Sequence, residues 1–173
     1  MFTAHTHDTA PAAARPTLDA VAAQFGFLPS AVALMAESPE LLQAFIRTNA
    51  IFERSTLPPI ARETLILTIA ERNGCDLCVA MHRPALIRAG GTPDSTAPEL
   101  VALRTFANTV IDTTGAVGDE AMRAFIDAGY TARNALEVVL GIGTYTLSTF
   151  ANRLTDAPVD PQFRSQPVHS SSR

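Results

Sequence analysis

Between Thr131 and Leu154, the residues Leu136, Val139, Leu140, Gly143, Leu147, Phe150 and Leu154 recur at intervals of three and four, not two. That period belongs to an α-helix, and it holds against the β-branched residues in the same run, which by themselves favour strand. Gly141, Gly143, Thr144 and Ser148 keep part of the surface of this long helix thin. Another helix can approach closely there, or a ligand can find room. The rest of the chain agrees with the helical period. Proline and glycine punctuate it at spacings that suit helices of about ten to twenty residues, while alternating runs bounded by Asn-Gly or Asp-Gly turns are missing. The fold class is expected to be all-α, a helical bundle.

Helix starts can be read where Ser or Thr can accept from the free N–H groups of a first turn and proline loses nothing by lacking one. Ser38-Pro39-Glu40 opens a helix with Leu42, Phe45, Ile46, Asn49 and Phe52 along one face. Thr96-Ala97-Pro98-Glu99 has the spacing of a capping box and leads into Leu100, Leu103, Ala107 and Val110. Shorter helices fit Thr17 to Phe25, Ser30 to Glu37 and Asp119 to Ala128, the first and last stopped by Gly26 and Gly129.

With 173 residues, the chain has the size of one domain. That domain is expected over 17–155, with a flexible lead at 1–16 and an extended tail at 156–173 marked by Pro158, Pro161, Pro167 and Ser170-Ser171-Ser172. Only 17% of residues are charged, against roughly 25% in soluble domains. Each helix must therefore turn more apolar surface inward or toward a partner copy, and a homo-oligomer is expected. The net charge of −4 and the lack of any Lys/Arg run leave no footprint for phosphate backbones, which excludes nucleic acid as a partner class. No apolar stretch is long enough to span a membrane, and Met1 to Arg15 lacks the pattern of an export signal. The expected location is the cytoplasm.

The chemistry concentrates in Cys75-Asp76-Leu77-Cys78-Val79-Ala80-Met81-His82, which follows Asn73-Gly74. Asn-Gly ends one helix and Cys75 falls at the start of the next. At about 100° per residue, Cys75, Cys78 and His82 fall within an arc of roughly 60° and project from one strip of surface. A helix N-terminus favours thiolate over thiol, and two thiols three residues apart can close into a disulfide. An imidazole one turn on can take or deliver a proton. Glu63 shares its helical strip with Ile60, Leu67 and Ala70, so its carboxylate faces the interior. Burial moves a carboxyl toward the working range of a proton acceptor, and Glu63, His82 and Cys78 form a candidate relay. Each residue also has a purely structural reading: an ion-paired buried Glu63, a surface or capping His82, and inert cysteines.

Zinc is an alternative for the same residues, but a closed structural site needs four ligands, and Cys75, Cys78 and His82 supply three. His5, His7 and His169 lie toward the ends of the chain, leaving Asp76 or water to complete a site. An iron–sulfur cluster needs four thiolates where two are present. No metal and no cofactor are assigned.

Glu63, eleven intervening residues, Cys75-x-x-Cys78-x-x-x-His82 and a following Gly90-Gly91 resemble the carboxymuconolactone decarboxylase/alkylhydroperoxidase D superfamily, in its peroxidase-related branch. Phe25-Gly26-Phe27-Leu28-Pro29, Ser38-Pro39, Ala128-Gly129-Tyr130 and Ala135-Leu136-Glu137-Val138-Val139 extend the resemblance over about 17–163. It implies an AhpD-like helical bundle that assembles as trimers or hexamers and reduces hydroperoxides with thiols. In that scheme Cys78 attacks the peroxide, Cys75 resolves the sulfenic acid into a disulfide, Glu63 and His82 relay protons, and an external dithiol restores the pair. The decarboxylase branch typically lacks the cysteine pair, which argues against lactone decarboxylation. Two residues depart from the pattern. Leu77 stands where alkylhydroperoxidase D has a histidine, and Pro84 is placed to bend or stop the helix behind His82. The activity expected is reduction of a small-molecule hydroperoxide, preferably organic. The rivals are a redox-sensing or interaction subunit without turnover, and a lyase or isomerase using Glu63 and His82 as acid and base.

Overall fold

The structure is a computed structural model that describes residues 1–164. Eight α-helices and one short 3₁₀ turn make up its regular structure: α1 Arg15–Phe25, α2 Ser30–Met35, α3 Pro39–Phe52, α4 Pro59–Arg72, α5 Asp76–Arg88, α6 Pro98–Asp112, α7 Gly118–Asp127, α8 Ala132–Leu154, and the turn Pro161–Phe163. The all-α class expected from the sequence is the class observed among the described residues.

Helix α4 sits at the centre, packed against α5, α6 and α8. From Thr64 to Ala70 every residue is buried, so this stretch has no solvent face. It tolerates Thr64 and Thr68 because each hydroxyl donates back to the carbonyl four residues earlier, Ile60 and Thr64 respectively, both at 2.8 Å. The main core gathers Phe52, Leu65, Ile66, Ile69, Leu103, Phe125 and Val138 around it. A second cluster joins α1, α2 and α3 through Leu18, Val21, Met35 and Leu42. A third surrounds the cysteines.

Helix α8 has the length its period predicts, but the apolar stripe that revealed it faces outward. Leu136, Phe150 and Leu154 are 73%, 58% and 73% exposed. The inward face instead carries Gly141, Thr144, Tyr145, Ser148 and Asn152. Gly141 is there for close packing: a Cβ would come within 2.7 Å of Leu65 and 2.8 Å of Phe52. Gly143 meets nothing within 4 Å.

Some local expectations change. Thr96 does not cap α6. Ala97 occupies that position without a side-chain bond, and Ser95 Oγ accepts from its N–H instead. The true capping box is at Thr131 and Asn134, before α8, with Asn in place of the acidic residue. Ser38 caps α3 as read, accepting from the Leu41 N–H. Pro84 neither stops nor ends α5, which continues to Arg88. The lead expected over 1–16 already contains the first residues of α1, and Ala10 and Ala14 are buried against α1–α3. In the tail expected over 156–173, the described part folds back: the Asp160 carboxylate accepts from both the N–H and the hydroxyl of Ser30. Residues 165–173, with Pro167, His169 and the three serines, lie outside the described residues.

Candidate active site

The turn between α4 and α5 places Cys75. Gly74 takes the left-handed conformation at φ +63°. The Cys75 N–H donates to the Ala70 carbonyl at 2.9 Å and the Gly74 N–H to that of Glu71 at 3.1 Å, the paired bonds of a Schellman motif. Asn73 Nδ2 donates to Thr149 Oγ1 at 2.9 Å, and the Arg153 guanidinium donates to the Asn73 carbonyl at 2.7 Å, fixing the turn to α8. Cys75 thus ends one helix and, in the next, is the N-cap. Its Sγ accepts from the Cys78 N–H at 3.4 Å.

Both cysteines are buried and free, with sulfurs 2.8 Å apart and joined by a hydrogen bond. That separation exceeds the ~2.05 Å of a disulfide, and one small movement would close it. The two thiols share their protons unequally. The side-chain hydrogen bond with Cys78, the Cys78 backbone N–H and the Asn152 amide together outweigh burial and hold the Cys75 thiol down at about 6. The Cys78 thiol is pushed up, first by its bond to Cys75 and then by burial. Within the pair the surroundings thus favour the anion on Cys75, the capping sulfur, over Cys78.

Helix α8 supplies the polar wall behind the sulfurs. Asn152 Nδ2 donates to Cys78 Sγ at 3.3 Å and to Cys75 Sγ at 3.8 Å, and Ser148 Oγ lies 4.0 Å from Cys78 Sγ. On the other side, His82 Nδ1 and Glu63 Oε2 are 2.9 Å apart, both side chains largely buried. The imidazole stands edge-on to Tyr145, with ring centroids 5.3 Å apart. The Tyr145 hydroxyl donates to Asn49 Oδ1 at 2.8 Å, and burial raises its pKa, keeping it protonated.

The structure thus joins Glu63 to His82 and Cys75 to Cys78, the two halves of the expected constellation. Among the described residues no hydrogen bond links His82 to either sulfur, so the relay drawn from Glu63 through His82 to Cys78 lacks its last joint. Cys78 and His82 instead line one cavity of about 420 Å³, shared with Met81, Phe45, Tyr145 and Asn152 and walled on the far side by α1 and α2. An occupant of that cavity could touch both halves. Cys75 does not line it. Ala157, Val159 and Phe163 pack against the cysteine cluster, and Phe163 also meets Phe25 and Phe27. Among the described residues no group of three or more His, Cys, Asp or Glu is placed to hold a metal ion.

Sequence reasoning missed Ser148, Asn152, Tyr145 and Asn49. Its one available signal was the second periodicity in α8, Gly141, Tyr145, Ser148 and Asn152, small and polar residues recurring at four, three and four beside the apolar stripe.

The carboxymuconolactone decarboxylase family model matches residues 39–111, which span α3 to α6 and contain Glu63, Cys75, Cys78 and His82. No curated protein sequence matches the chain. Among solved structures, a peroxidase-related protein with an alkylhydroperoxidase AhpD core from Ralstonia eutropha JMP134 superposes with a TM-score of 0.77 at 20% identity, covering 94% of this chain and 93% of that one. A peroxidase-related protein from Silicibacter sp. TM1040 gives 0.75 at 16% identity, covering 90% and 89%. The debrominase Bmp8, in complex with 2,3,4-tribromopyrrole, gives 0.61 at 14% identity, covering 86% of each chain. The fold is the AhpD-like helical fold.

Proposed function

We propose that this protein is a thiol-dependent, peroxidase-like oxidoreductase that reduces organic hydroperoxides. The observation that carries the reading is the placement of Cys78 on the cavity, with Cys75 2.8 Å behind it and His82, held by Glu63, lining the same cavity. Cys78 thiolate attacks the terminal oxygen of ROOH. The S–O bond forms as the O–O bond breaks, the sulfur is oxidised to sulfenic acid, and the departing alkoxide takes a proton from His82 to leave as ROH. Glu63 holds the imidazole through Nδ1, leaving the other ring nitrogen for this transfer. Cys75 then attacks the sulfenic sulfur. An S–S bond forms, the S–O bond breaks, and the hydroxide leaves as water with the proton that the Cys75 thiol gives up. An external dithiol reduces the disulfide and is itself oxidised. The lining of the cavity, mostly aliphatic and aromatic, suits an organic R group better than hydrogen peroxide. Dependence on a dithiol fits the reducing cytoplasm. No helix of the described residues is long and apolar enough to cross a membrane.

The deciding experiment measures consumption of an organic hydroperoxide with a dithiol donor, comparing wild type with Cys78→Ser and Cys75→Ser. Turnover lost in both, with one equivalent of peroxide still consumed by Cys75→Ser, is the expected result. Reversible disulfide formation without turnover would replace the enzyme with a redox sensor, and cysteine-independent chemistry would favour the acid–base lyase.

A further inference from the structure

The cysteine that faces the cavity is not the one on which the negative charge rests. Cys78 lines the cavity, yet its backbone N–H donates to Cys75 Sγ at 3.4 Å, a bond that favours the anion on Cys75, and the two sulfurs share a hydrogen bond at 2.8 Å. If Cys78 attacks, the proton must cross to Cys75, and some group has to stabilise the charge that this leaves on Cys78.

We propose that Asn152 is the catalytic residue that delivers the pair's negative charge to Cys78, and so selects which of the two cysteines attacks. Its amide nitrogen carries two N–H bonds and reaches both sulfurs, at 3.3 Å from Cys78 and 3.8 Å from Cys75. A donor bridging both positions stabilises the anion on either side of the proton transfer, and the nearer sulfur gains more. Bonds of this kind are weak to a neutral thiol and strong to a thiolate, so their effect falls on the ionised form. Burial makes it larger: Asn152 is 5% exposed and Ser148 6%, and the competition from water is small. Asn152 lowers the pKa of both thiols, as a shared anion stabiliser must. Ser148, one turn earlier on α8, accepts from the same amide at 3.5 Å and orients it. Asn152 Oδ1 is buried without a hydrogen-bond partner in the structure, and the residue lines the cavity. An orphaned acceptor beside the attacked oxygen is placed to receive the O–H of a bound hydroperoxide.

The attacking role rests on the peroxidase reading above. The selection of sulfur does not, and it can be tested without turnover. Reduced protein is alkylated with limiting iodoacetamide across a pH series, and peptide mass spectrometry gives the ratio of Cys78 to Cys75 labelling. In Asn152→Leu this ratio should fall roughly tenfold, with the pH midpoint of Cys78 labelling displaced upward. Asn152→Ser, whose hydroxyl is too short to bridge, should behave alike if the leucine variant does not fold. In wild type labelled with carbon-13 cysteine, NMR should show the first ionisation shifting both cysteine signals. A first ionisation confined to Cys75, or an unchanged labelling ratio in a folded variant, would overturn the proposal. Normal labelling selection in a wild type that consumes no peroxide would refute the peroxidase reading and leave Asn152's role standing.

Discussion

Two sulfurs with displaced pKa values in opposite directions make the stability of the reduced protein depend on pH in a particular way. Cys75 is lowered from 9.0 to about 6, so between those values the native protein binds fewer protons than the unfolded chain and stability rises with pH. Above the ordinary thiol value the sign reverses, because unfolded Cys78 releases a proton that native Cys78, raised, still holds. The contribution is absent below about pH 6, greatest near 9 and declines beyond. Urea midpoints of the reduced protein across this range should follow that course, and Cys75→Ser should lose the rising limb. Glu63 makes a different prediction. As the partner of His82 it should matter to proton delivery and little to the fold, so Glu63→Gln should slow peroxide reduction by about 10²–10⁴-fold. Stopped-flow rates unchanged across pH would make Glu63 structural. At this scale the candidate site was half legible. Glu63, Cys75, Cys78 and His82 sit in one stretch whose spacing announces them, whereas Asn152 and Ser148 reach the sulfurs from α8, marked only by a small and polar period that names no chemistry.

Among the elements, α8 shows where periodicity stops being informative. Intervals of three and four identify a helix but not which side faces the core, and here the small and polar stripe won the interior. The reason is space: α8 crosses α4 and α3 at Gly141, where only a residue without a side chain fits against Leu65 and Phe52. Larger apolar residues would have held the helices apart. Gly141→Ala should therefore destabilise the protein by about 1–3 kcal/mol through overpacking, despite alanine's better helix propensity. A thermal melt at or above wild type would show that the contact yields. Capping was read correctly at Ser38, where serine and the following proline agree, and incorrectly at Thr96, where the chain enters α6 one residue later than the motif implies. The box at Thr131 was hidden because Asn134 does the work usually given to Glu or Gln.

For the whole molecule, the outward stripe of α8 is the surface a second copy would cover. Leu136, Val139, Gly143, Leu147, Phe150 and Leu154 recur at three and four along that side, and Gly143 leaves a gap near its middle. Sedimentation at micromolar concentration is expected to show a homo-oligomer, and Leu147→Glu with Phe150→Glu to shift it toward monomer. Monomer alone in the wild type would contradict this.

On the proposed peroxidase reading, the segment that packs on the cysteine cluster also bears on the order of events. Ala157, Val159 and Phe163 pack on the cluster that contains both cysteines, and of the two sulfurs only that of Cys78 belongs to a residue lining the cavity. After oxidation, the disulfide's approachable sulfur is the one that met the hydroperoxide. The dithiol must then enter by the door the oxidant has just left. Two half-reactions through one door give ping-pong kinetics in which each substrate obstructs the enzyme form intended for the other. Excess hydroperoxide should slow the steady state, and added dithiol should relieve the inhibition. Loosening the segment by Asp160→Ala, which removes its bonds to Ser30, should open a second door and abolish that mutual interference.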